Sequence, residues 1–467
     1  MLGVEKAKGI LWPASEDMGA GSRPCFIKVD KRIELLAAVQ LFTSWRETGI
    51  IAGDLPYKQD MLDYFGSFSS HRAVTLCEDL TQAYFNYDAP VGFMMHLSDP
   101  PQLEVVVPFS EYHIARAGGA DILEEFVEAL RSFWWESDFE EFWDSHREFY
   151  RDVERRAYAD VPLESTVETL EEYFGTELHG YYYVLAPLFS GGYGYQIEVD
   201  GSYDAYVFSG PSEIDGDMPI FRSFFHDPYV GCFTYPVVEE FLAEHRNLTR
   251  LLEPFEEFPY PFLSKEYGVI ALHVRIAVTA WLFNLYSYVD FYEQRGWIYI
   301  KPLYNLLYQY DKRVYASFRE FYPQIVDLFN NIADEYDLVV QVANERGEGL
   351  PNAQVSTLLP HGREVSSRVT DSNGRVVFEG LLGITYFIKA SSPGYYEQTT
   401  EATLKNREQT KKVALKPVPF LETALGKVSV AGGVMSVILV AGFILLRRRR
   451  ARRSLRRRWQ PSYTPYR

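Results

Sequence analysis

The chain has 467 residues, enough for two or three domains, and its apolar share of 47% with an aromatic share of 16% indicates packed globular material. The net charge is −18, and because the last 21 residues contain ten Arg and no acid, the preceding 446 residues carry −28. Such an acidic body would repel a phosphate backbone, which argues against nucleic acid as a partner. Cys25, Cys77 and Cys232 are far apart without a CxxC pair, which disfavours a disulfide framework and a thiolate zinc site but leaves a single bridge open.

The first large domain is predicted to be mainly helical. Residues 1–29 contain no apolar run of the signal-peptide type, and we expect this N-terminal segment to be poorly ordered. A domain over residues 30–335 follows, in which YQIEVDGSYDAYVFSG (195–210) predicts a small sheet or hairpin. Apolar residues at helical spacing predict helical segments over 32–45, 121–158, 269–296 and 303–336.

Residues 337–417 predict a second, β-rich domain. Short apolar runs alternate with turn residues, as in Asp371-Ser372-Asn373-Gly374, and such spacing is typical of an antiparallel sandwich. The predicted strands are 338–342, 353–359, 375–380, 384–390 and 411–416.

This β-rich segment resembles the carboxypeptidase-regulatory-like, or prealbumin-like, sandwich. The pieces that carry the resemblance are GLPNAQV (349–355), TDSNGRVVF (370–378), GITYFIKA (383–390) and PGYYE (393–397). The resemblance implies a non-catalytic sandwich of the kind used as a spacer or adhesive module on secreted and surface proteins.

The strongest signal in the chain predicts a membrane anchor. VSVAGGVMSVILVAGFILL (428–446) has no charge over 19 residues, and at about 1.5 Å per residue a helix of this length spans a bilayer core. The Arg-rich tail over 447–467 should stay in the cytoplasm, so the acidic body is expected outside the cell, with the lipid bilayer as a partner.

Several segments of the helical domain resemble, in matching order, a family with a zinc-metallopeptidase-like architecture of the gluzincin type. They are IELLAAVQLFTSW (33–45), DYFGSFSSHRAVTL (63–76), FWDSHREFY (142–150), YYYVLAPLFSGGYGYQI (181–197), TYPVVEEF (234–241) and ALHVRIAVTAWL (271–282). The resemblance implies an H-E-x-x-H helix, whose two His hold zinc and whose Glu polarises the bound water, and a Glu ligand from a later helix.

The chain departs from that zinc pattern. His226 matches the first ligand and Asp227 stands where the Glu should be, but the second His position is Val230. Sliding the frame by one residue places Asp227 and Gly231 at the ligand positions instead. The position that should supply the third ligand is Ala271, so the standard site is not present.

Two interpretations of this departure remain open within the family. In the first, the domain keeps the fold without catalysis, needs no cofactor, and uses His226 and His273 as hydrogen-bonded core or turn residues. In the second, His226, Asp227 and His273, with an acid such as Glu239 or Glu240, bind zinc, and Asp227 is the catalytic base of a membrane-tethered peptidase. A helical surface domain of unrelated origin, with a purely structural role in the envelope, is the third alternative.

The glycine-rich stretch GGYGY (191–195) predicts a turn beside a strand, because it lacks the Lys of a phosphate-binding loop. In the gluzincin-like family such a segment lines the substrate groove as an edge strand, which makes Gly191, Gly192 and Tyr193 candidate peptide-groove residues. An edge strand binds an extended peptide by adding it to the sheet, and this ability survives the loss of a metal.

The sequence therefore predicts an α+β protein: a mainly helical metallopeptidase-like domain, an antiparallel β-sandwich and one C-terminal transmembrane helix. The expected function is that of a membrane-anchored surface protein whose ectodomain lacks the standard zinc site and binds peptides or other surface partners. His96 and His113 have no partner at ligand spacing and are not predicted to contribute to a site.

Overall fold

The computed structural model describes residues 23–221, 226–244, 249–255 and 265–418, without the side chains at 226, 227, 244, 265 and 266. The predicted membrane segment, 428–446, and the basic tail, 447–467, lie outside these residues. Within the described part, no helix combines the length and apolarity needed to cross a membrane. Helices and sheets are both present, and the fold is α+β.

The described residues divide into two compact units. The first contains residues 23–221, 226–244, 254–255, 265–286 and 303–326, and the second contains residues 249–253, 287–302 and 327–418. The helices are α1 (Lys31–Gln40), α2 (Arg46–Gly49), α3 (Pro56–Phe65), α4 (Arg72–Gln82), α5 (Asp88–Met95), α6 (Glu111–Ala117), α7 (Ala120–Glu136), α8 (Phe139–Ser145), α9 (Arg147–Asp160), α10 (Leu163–Phe174), α11 (His226–Glu244), α12 (Thr249–Leu252), α13 (Lys265–Leu282), α14 (Tyr286–Glu293), α15 (Ile300–Leu307) and α16 (Phe318–Ala333).

The predicted helical segments are present, but three of them are divided. One of the three, 303–336, forms α15 and α16 with a non-helical stretch over 308–317 between them. The segment over 121–158 forms α7, α8 and α9, because Asp138 takes a φ of 50° and the backbone leaves the helix again at His146. The segment over 269–296 divides into α13 and α14 at Asn284, which takes a φ of 55°. Single residues in the left-handed region end a helix, and periodicity alone does not reveal them.

The first unit holds a four-stranded sheet. Its strands are β1 (Cys25–Val29), β2 (Gly180–Leu185), β3 (Gly192–Val199) and β4 (Ser202–Ser209), and a separate hairpin is formed by β5 (Glu213–Asp215) and β6 (Met218–Ile220). The strand order is β1-β2-β4-β3, with β1, β2 and β4 parallel and β3 antiparallel to β4. Asp200 and Gly201, with φ of 49° and 83°, form the two-residue turn of the β3–β4 hairpin, so the hairpin predicted over 195–210 is confirmed.

Strand β1 corrects the expectation for the start of the chain. It is formed by residues assigned to the N-terminal segment 1–29, and it pairs along its whole length with β2. Ile27 and Val29 are buried, so the apolar face of this short strand belongs to the core of the first unit. The sheet therefore begins before residue 30.

The second unit is built around a sandwich of two sheets. Its strands are β7 (Tyr336–Asn344), β8 (Gln354–Leu358), β9 (Glu364–Val369), β10 (Arg375–Leu381), β11 (Thr385–Ser391), β12 (Gln398–Thr403) and β13 (Glu408–Leu415). The sheet orders are β10-β7-β13 and β12-β11-β8-β9. All pairs are antiparallel except β7 with β13, which is parallel, so the predicted antiparallel arrangement holds for all but one pair.

Candidate functional site

Strand β3 forms an edge of the first unit's sheet, because β4 is the one described strand that pairs with it. The Gly191 carbonyl just before β3 accepts from the Gly210 N–H just after β4, so the backbone of Gly191 points toward β4. In an antiparallel pair the N–H and C=O of one residue point to the same side, and alternate residues point the same way. The backbone groups of Gly192, Gly194 and Gln196 consequently follow the outer edge.

The three predicted groove residues lie where this edge begins. Gly191 has a φ of 102°, which L side chains rarely adopt, and its carbonyl accepts a 2.7 Å hydrogen bond from the Gly210 N–H. Gly192 is the first residue of β3, and the Tyr193 hydroxyl donates to the Ser190 carbonyl at 3.1 Å. Their place on an edge strand agrees with the sequence analysis, and their role in peptide binding stays a prediction.

Gly194 sets the distance between β3 and α11. A Cβ atom on Gly194 would lie 2.9 Å from the carbonyl oxygen of Pro228 and 3.1 Å from its Cβ. Real side chains do not make such contacts with backbone, so any larger residue at this position would push the first turn of α11 away from the sheet.

Helix α13 packs against α11, and the Arg275 side chain lies at their contact. A Cβ atom on Gly231 would lie 3.2 Å from Arg275 Cδ and 3.3 Å from the Tyr235 ring. Arg275 Nη1 donates a 2.6 Å hydrogen bond to the Tyr235 hydroxyl. Gly231 is the second ligand position when the H-E-x-x-H pattern is shifted by one residue. A histidine at this position would have to displace the Arg275 side chain, which is positively charged.

His273 is placed as a core residue. It is fully buried, its Nδ1 lies 2.5 Å from the Val269 carbonyl, and its ring packs edge-on against Phe255 at 5.2 Å between centroids. Burial lowers the pKa of His273 to about 3, so the imidazole is neutral. Arg275 faces Gly231, and His273 lies two residues before Arg275 on the same helix. Because residues two apart on a helix do not face the same way, His273 points away from Gly231.

The other two predicted metal ligands are outside the described side chains. His226 is the first residue of α11, and the side chains of His226 and Asp227 lie outside the part of the chain that the structure describes. Among the residues whose side chains are described, no group of three or more His, Cys, Asp or Glu is placed to hold a metal ion. The ligand set His226, Asp227 and His273 stays a prediction.

A buried tyrosine–histidine network fixes the inner side of β3. The Tyr195 hydroxyl lies 2.9 Å from His96 Nε2 and 3.5 Å from His113 Nδ1. His96 Nδ1 lies 3.1 Å from the Val107 carbonyl, and the Ser110 hydroxyl lies 3.0 Å from His113 Nδ1. Burial lowers the pKa of both imidazoles, so the network is neutral and holds Tyr195 without a charge.

The loop before α5 brings an aromatic ring to the start of β3. Tyr87 has a φ of 58° and a ψ of −115°, which is a strained conformation for a residue with a Cβ, and its side chain is 41% exposed. Its ring contacts Trp45 at 4.9 Å and Tyr193 at 6.3 Å between centroids. The next residue, Asp88, accepts a 2.7 Å hydrogen bond from the Tyr112 hydroxyl.

The sequence analysis missed the contribution of His96, His113 and Tyr87 to this region. One signal was available: Gly92 interrupts the apolar helix α5, and a Cβ atom there would lie 2.9 Å from the Tyr195 ring and 3.0 Å from His113 Nε2. An isolated glycine in a helical pattern indicates close packing against another element. The partner element, however, is about a hundred residues away in sequence.

Comparison with known families now places the chain. Residues 25–328, which include β1, β3, α11 and α13, match the model described as "Domain of unknown function (DUF4932)". The chain belongs to this family. Residues 337–416 are a carboxypeptidase regulatory-like domain, as the sequence predicted. The match of the DUF4932 domain lends no support to a gluzincin peptidase or to an H-E-x-x-H site, so that resemblance remains a proposal.

Three solved structures that resemble a part of the chain illustrate its other similarities. The Bacillus anthracis TIE protein is 25% identical over 18% of each chain, with a TM-score of 0.17. The minor pilin GBS52 of Streptococcus agalactiae is 19% identical over 19% of this chain and 47% of the pilin, with a TM-score of 0.18. Catechol 1,2-dioxygenase of Acinetobacter radioresistens is 13% identical over 19% of this chain and 54% of the enzyme, with a TM-score of 0.15.

Each of these matches spans less than two thirds of the other protein and has a TM-score far below 0.5, so none carries an argument about function. A comparison with curated proteins found no match.

Proposed function

We propose that the DUF4932 domain is a non-catalytic binding domain that takes up an extended peptide along the outer edge of β3. The observation that supports this proposal is that the edge strand β3 lies directly beside α11, with the backbone groups of Gly192, Gly194 and Gln196 on its outer side. A peptide strand gains main-chain hydrogen bonds from such an edge and needs no metal to do so. The exposed ring of Tyr87, next to Tyr193, offers a contact for a side chain of the peptide.

The absence of catalysis is the second element of this proposal. Its support is the position of Arg275, whose Cδ lies where a side chain at Gly231 would have to enter. A guanidinium is always charged and disfavours a second cation beside it. The gluzincin-like resemblance would then describe the ancestry of the domain and not a present activity.

The setting of the domain is also a proposal. Residues 428–446 would anchor the protein in the membrane, and the Arg-rich tail would hold the orientation with both domains outside. In chain order, the carboxypeptidase regulatory-like domain lies between the DUF4932 domain and this proposed anchor.

Peptide capture is testable without altering the protein. Peptides selected on the full-length chain from a library of random ten-residue sequences should slow hydrogen exchange of the amides in β3. Strand β12 is the matched control, because it too is the edge of a sheet but lies in the other domain. Protection in helices alone, or equal protection of both edge strands, would contradict binding by strand addition.

Metal analysis tests the runner-up function, a membrane-tethered metal-dependent peptidase. We expect the purified full-length chain to contain no stoichiometric zinc and its thermal unfolding to be unchanged by a chelator. About one zinc per chain, lost in His226→Ala and retained in the exposed-histidine control His361→Ala, would overturn the non-catalytic proposal.

A further inference from the structure

The first unit also carries an exposed aromatic surface that contains no residue of β3. Trp281 on α13, Tyr286 at the start of α14, Tyr304 on α15 and Tyr308 just after it form a continuous set of ring contacts, which we call the aromatic platform. The ring centroids of Tyr286 and Tyr304 are 5.6 Å apart, as are those of Tyr304 and Tyr308, and those of Trp281 and Tyr308 are 6.3 Å apart.

The platform is held in place from beneath. Trp281 packs on the buried ring of Tyr173 at 5.4 Å between centroids, and Tyr304 is itself buried. Asn284 takes a φ of 55° and the Leu285 N–H bonds the Ala280 carbonyl at 2.8 Å, which ends α13 and turns the chain toward Tyr286. The rings therefore have fixed positions before any ligand arrives.

Two rings of the platform remain largely in solvent. Tyr308 is 68% exposed and Tyr286 is 48% exposed, although each contacts the buried Tyr304. Both lie no more than about 11 Å apart, because each centroid is 5.6 Å from that of Tyr304. Core packing therefore does not account for these two rings, and neighbouring exposed aromatics indicate a binding surface.

The platform has no charge, in contrast to the acidic body that carries it. Residues 281–287, WLFNLYS, and 303–309, LYNLLYQ, contain no ionisable acid or base other than tyrosine. The hydrogen bond with Tyr308 raises the pKa of Tyr304 to about 12, so its hydroxyl stays neutral. A surface without charge suits a neutral ligand. An ionic ligand would lose its hydration there without gaining an opposite charge, which is unfavourable.

Residues with amide side chains lie close to the ring residues in the sequence. Asn284, Asn305 and Gln309 are exposed, and within the described part of the chain their side chains make no hydrogen bond. Amides both donate and accept hydrogen bonds, as hydroxyl groups do. Rings for stacking, amides for hydroxyl groups and the lack of charge together match the chemistry of a neutral saccharide, whose ring faces are apolar and whose rim is hydroxylated.

We propose that the aromatic platform binds neutral saccharides, so that the protein has a glycan-binding surface separate from the β3 edge. The proposal uses none of the residues assigned to peptide binding and stands or falls independently of that function.

The test is binding of the full-length chain, in mild detergent, to an array of neutral hexose and N-acetylhexosamine oligosaccharides with their sialylated and sulfated counterparts. We expect binding to neutral oligosaccharides, reduced about tenfold by Tyr308→Ala and by Tyr286→Ala. Trp135→Ala is the control, because Trp135 is also an aromatic residue with 66% exposure but lies on α7. All three substitutions remove exposed rings, so the folded state should persist.

Several results would overturn the proposal. They are the absence of binding to every neutral oligosaccharide, stronger binding to the charged counterparts, retention of binding in both tyrosine variants, and equal loss in the Trp135→Ala control. A shift of several degrees in the melting temperature of Tyr308→Ala would make Tyr286→Ala the deciding variant. Binding of a selected peptide, measured in the same variants, should be unchanged.

Discussion

The two units differ in what they bury. In the described part of the sandwich unit, the buried polar side chains are the hydroxyl residues Ser356, Thr357 and Thr370. The first unit buries ionisable groups instead, namely Asp30, Arg32, Glu34, His96, His113, Arg116, Glu171, Asp204 and His273. A buried charge or imidazole costs free energy unless it is paired. The stability of the first unit therefore depends on the partners of these buried groups, whereas that of the sandwich does not.

The difference extends to what the buried residues of each unit contact. Strand β11 of the sandwich alternates buried and half-exposed residues, as an apolar core requires, and the buried Ile388 and Ala390 give it no chemistry. In the first unit the polar groups hold particular elements, as His96 holds Tyr195 of β3. Both of the surfaces proposed above for binding lie in the first unit, and the contrast makes predictions that differ between the units.

The largest expected effect is the loss of the buried ion pair at the start of α1. Asp30 accepts hydrogen bonds from the Arg32 side chain at 3.0 and 2.8 Å, and both side chains are 1% exposed. Burial alone would raise the pKa of Asp30, but Arg32 holds it below its usual range. Asp30→Ala removes the carboxylate that accepts two hydrogen bonds from the buried guanidinium and leaves it the Leu97 carbonyl at 2.8 Å and the more distant Asp99 carboxylate at 3.7 Å. The loss should lower the free energy of unfolding of the first unit by about 3–5 kcal/mol.

Chemical denaturation followed by hydrogen exchange measures this effect in each unit. Protection in β2 should fall in Asp30→Ala, whereas protection in β11 should be retained. Substitution of the exposed Asp121, which is also in the first turn of a helix, is the control and should leave both strands unchanged. Equal loss in both units would mean that they unfold together and that the contrast does not extend to stability.

The second effect is a pH dependence confined to the first unit. Glu34 is fully buried, its Oε2 accepts a 2.5 Å hydrogen bond from the Tyr57 hydroxyl, and its Oε1 has no hydrogen-bond partner within the described residues. Burial raises the pKa of Glu34 to about 8 from an ordinary value of 4.5. The folded state therefore keeps a proton that the unfolded state has released, and stability falls between pH 4.5 and 8 by at most about 1.4 kcal/mol per pH unit.

Glu34→Gln isolates this contribution, because glutamine resembles the protonated acid and does not titrate. The variant should lose stability less steeply than the natural protein between pH 5 and pH 8, and it should be the more stable of the two at pH 8. Glu124→Gln, at an exposed position on α7, is the matched control. Parallel stability profiles for Glu34→Gln and the natural protein would show that Glu34 is ionised in the folded state.

A smaller effect is expected in the sandwich, where polar burial is limited to hydroxyls. Thr370 Oγ1 donates to the Leu350 carbonyl at 2.6 Å and accepts from the Ala353 N–H at 2.9 Å. Thr370→Val keeps the shape but leaves these two backbone groups without their partner, which should cost about 1–3 kcal/mol at any pH between 5 and 8. Denaturation at both ends of that range measures it, and a cost that changes with pH would contradict the assignment.

The sequence predicted the sandwich better than it predicted the first unit, for reasons visible in particular residues. Five of the seven strands followed from apolar alternation, whereas β9 and β12 were missed because their residues are mostly exposed and polar. The β3–β4 hairpin followed from the alternating run over 195–210, since that signal is local. Strand β1 was missed because five residues next to an irregular N-terminal segment give no periodicity, and its partner β2 lies about 150 residues away.

The candidate site was predictable only in part. Gly191, Gly192 and Tyr193 were found because glycine-rich turns are local features, and their edge position followed from the resemblance. The contact of Arg275 with Gly231 joins two helices about forty residues apart and has no sequence signal of its own. The buried contact of Tyr195 with His96 joins residues about a hundred positions apart in the sequence. Neither His96 nor His113 has the spacing that identifies a metal ligand.

The smallest effect concerns the strained residue at the rim of the proposed peptide groove. Tyr87→Ala and Tyr87→Gly both remove the ring that contacts Trp45 and Tyr193, so both lose the same aromatic contacts. At a φ of 58° alanine keeps the strain and glycine does not, so the Gly variant should be the more stable of the two by about 1 kcal/mol. Binding of a selected peptide should nevertheless weaken equally in both, because it depends on the ring.

If the Ala variant proves the more stable, the backbone at position 87 relaxes once the ring is gone. The ring contacts themselves would then hold the loop in its unusual conformation, and Tyr87 would be a positioning residue for the loop beside β3.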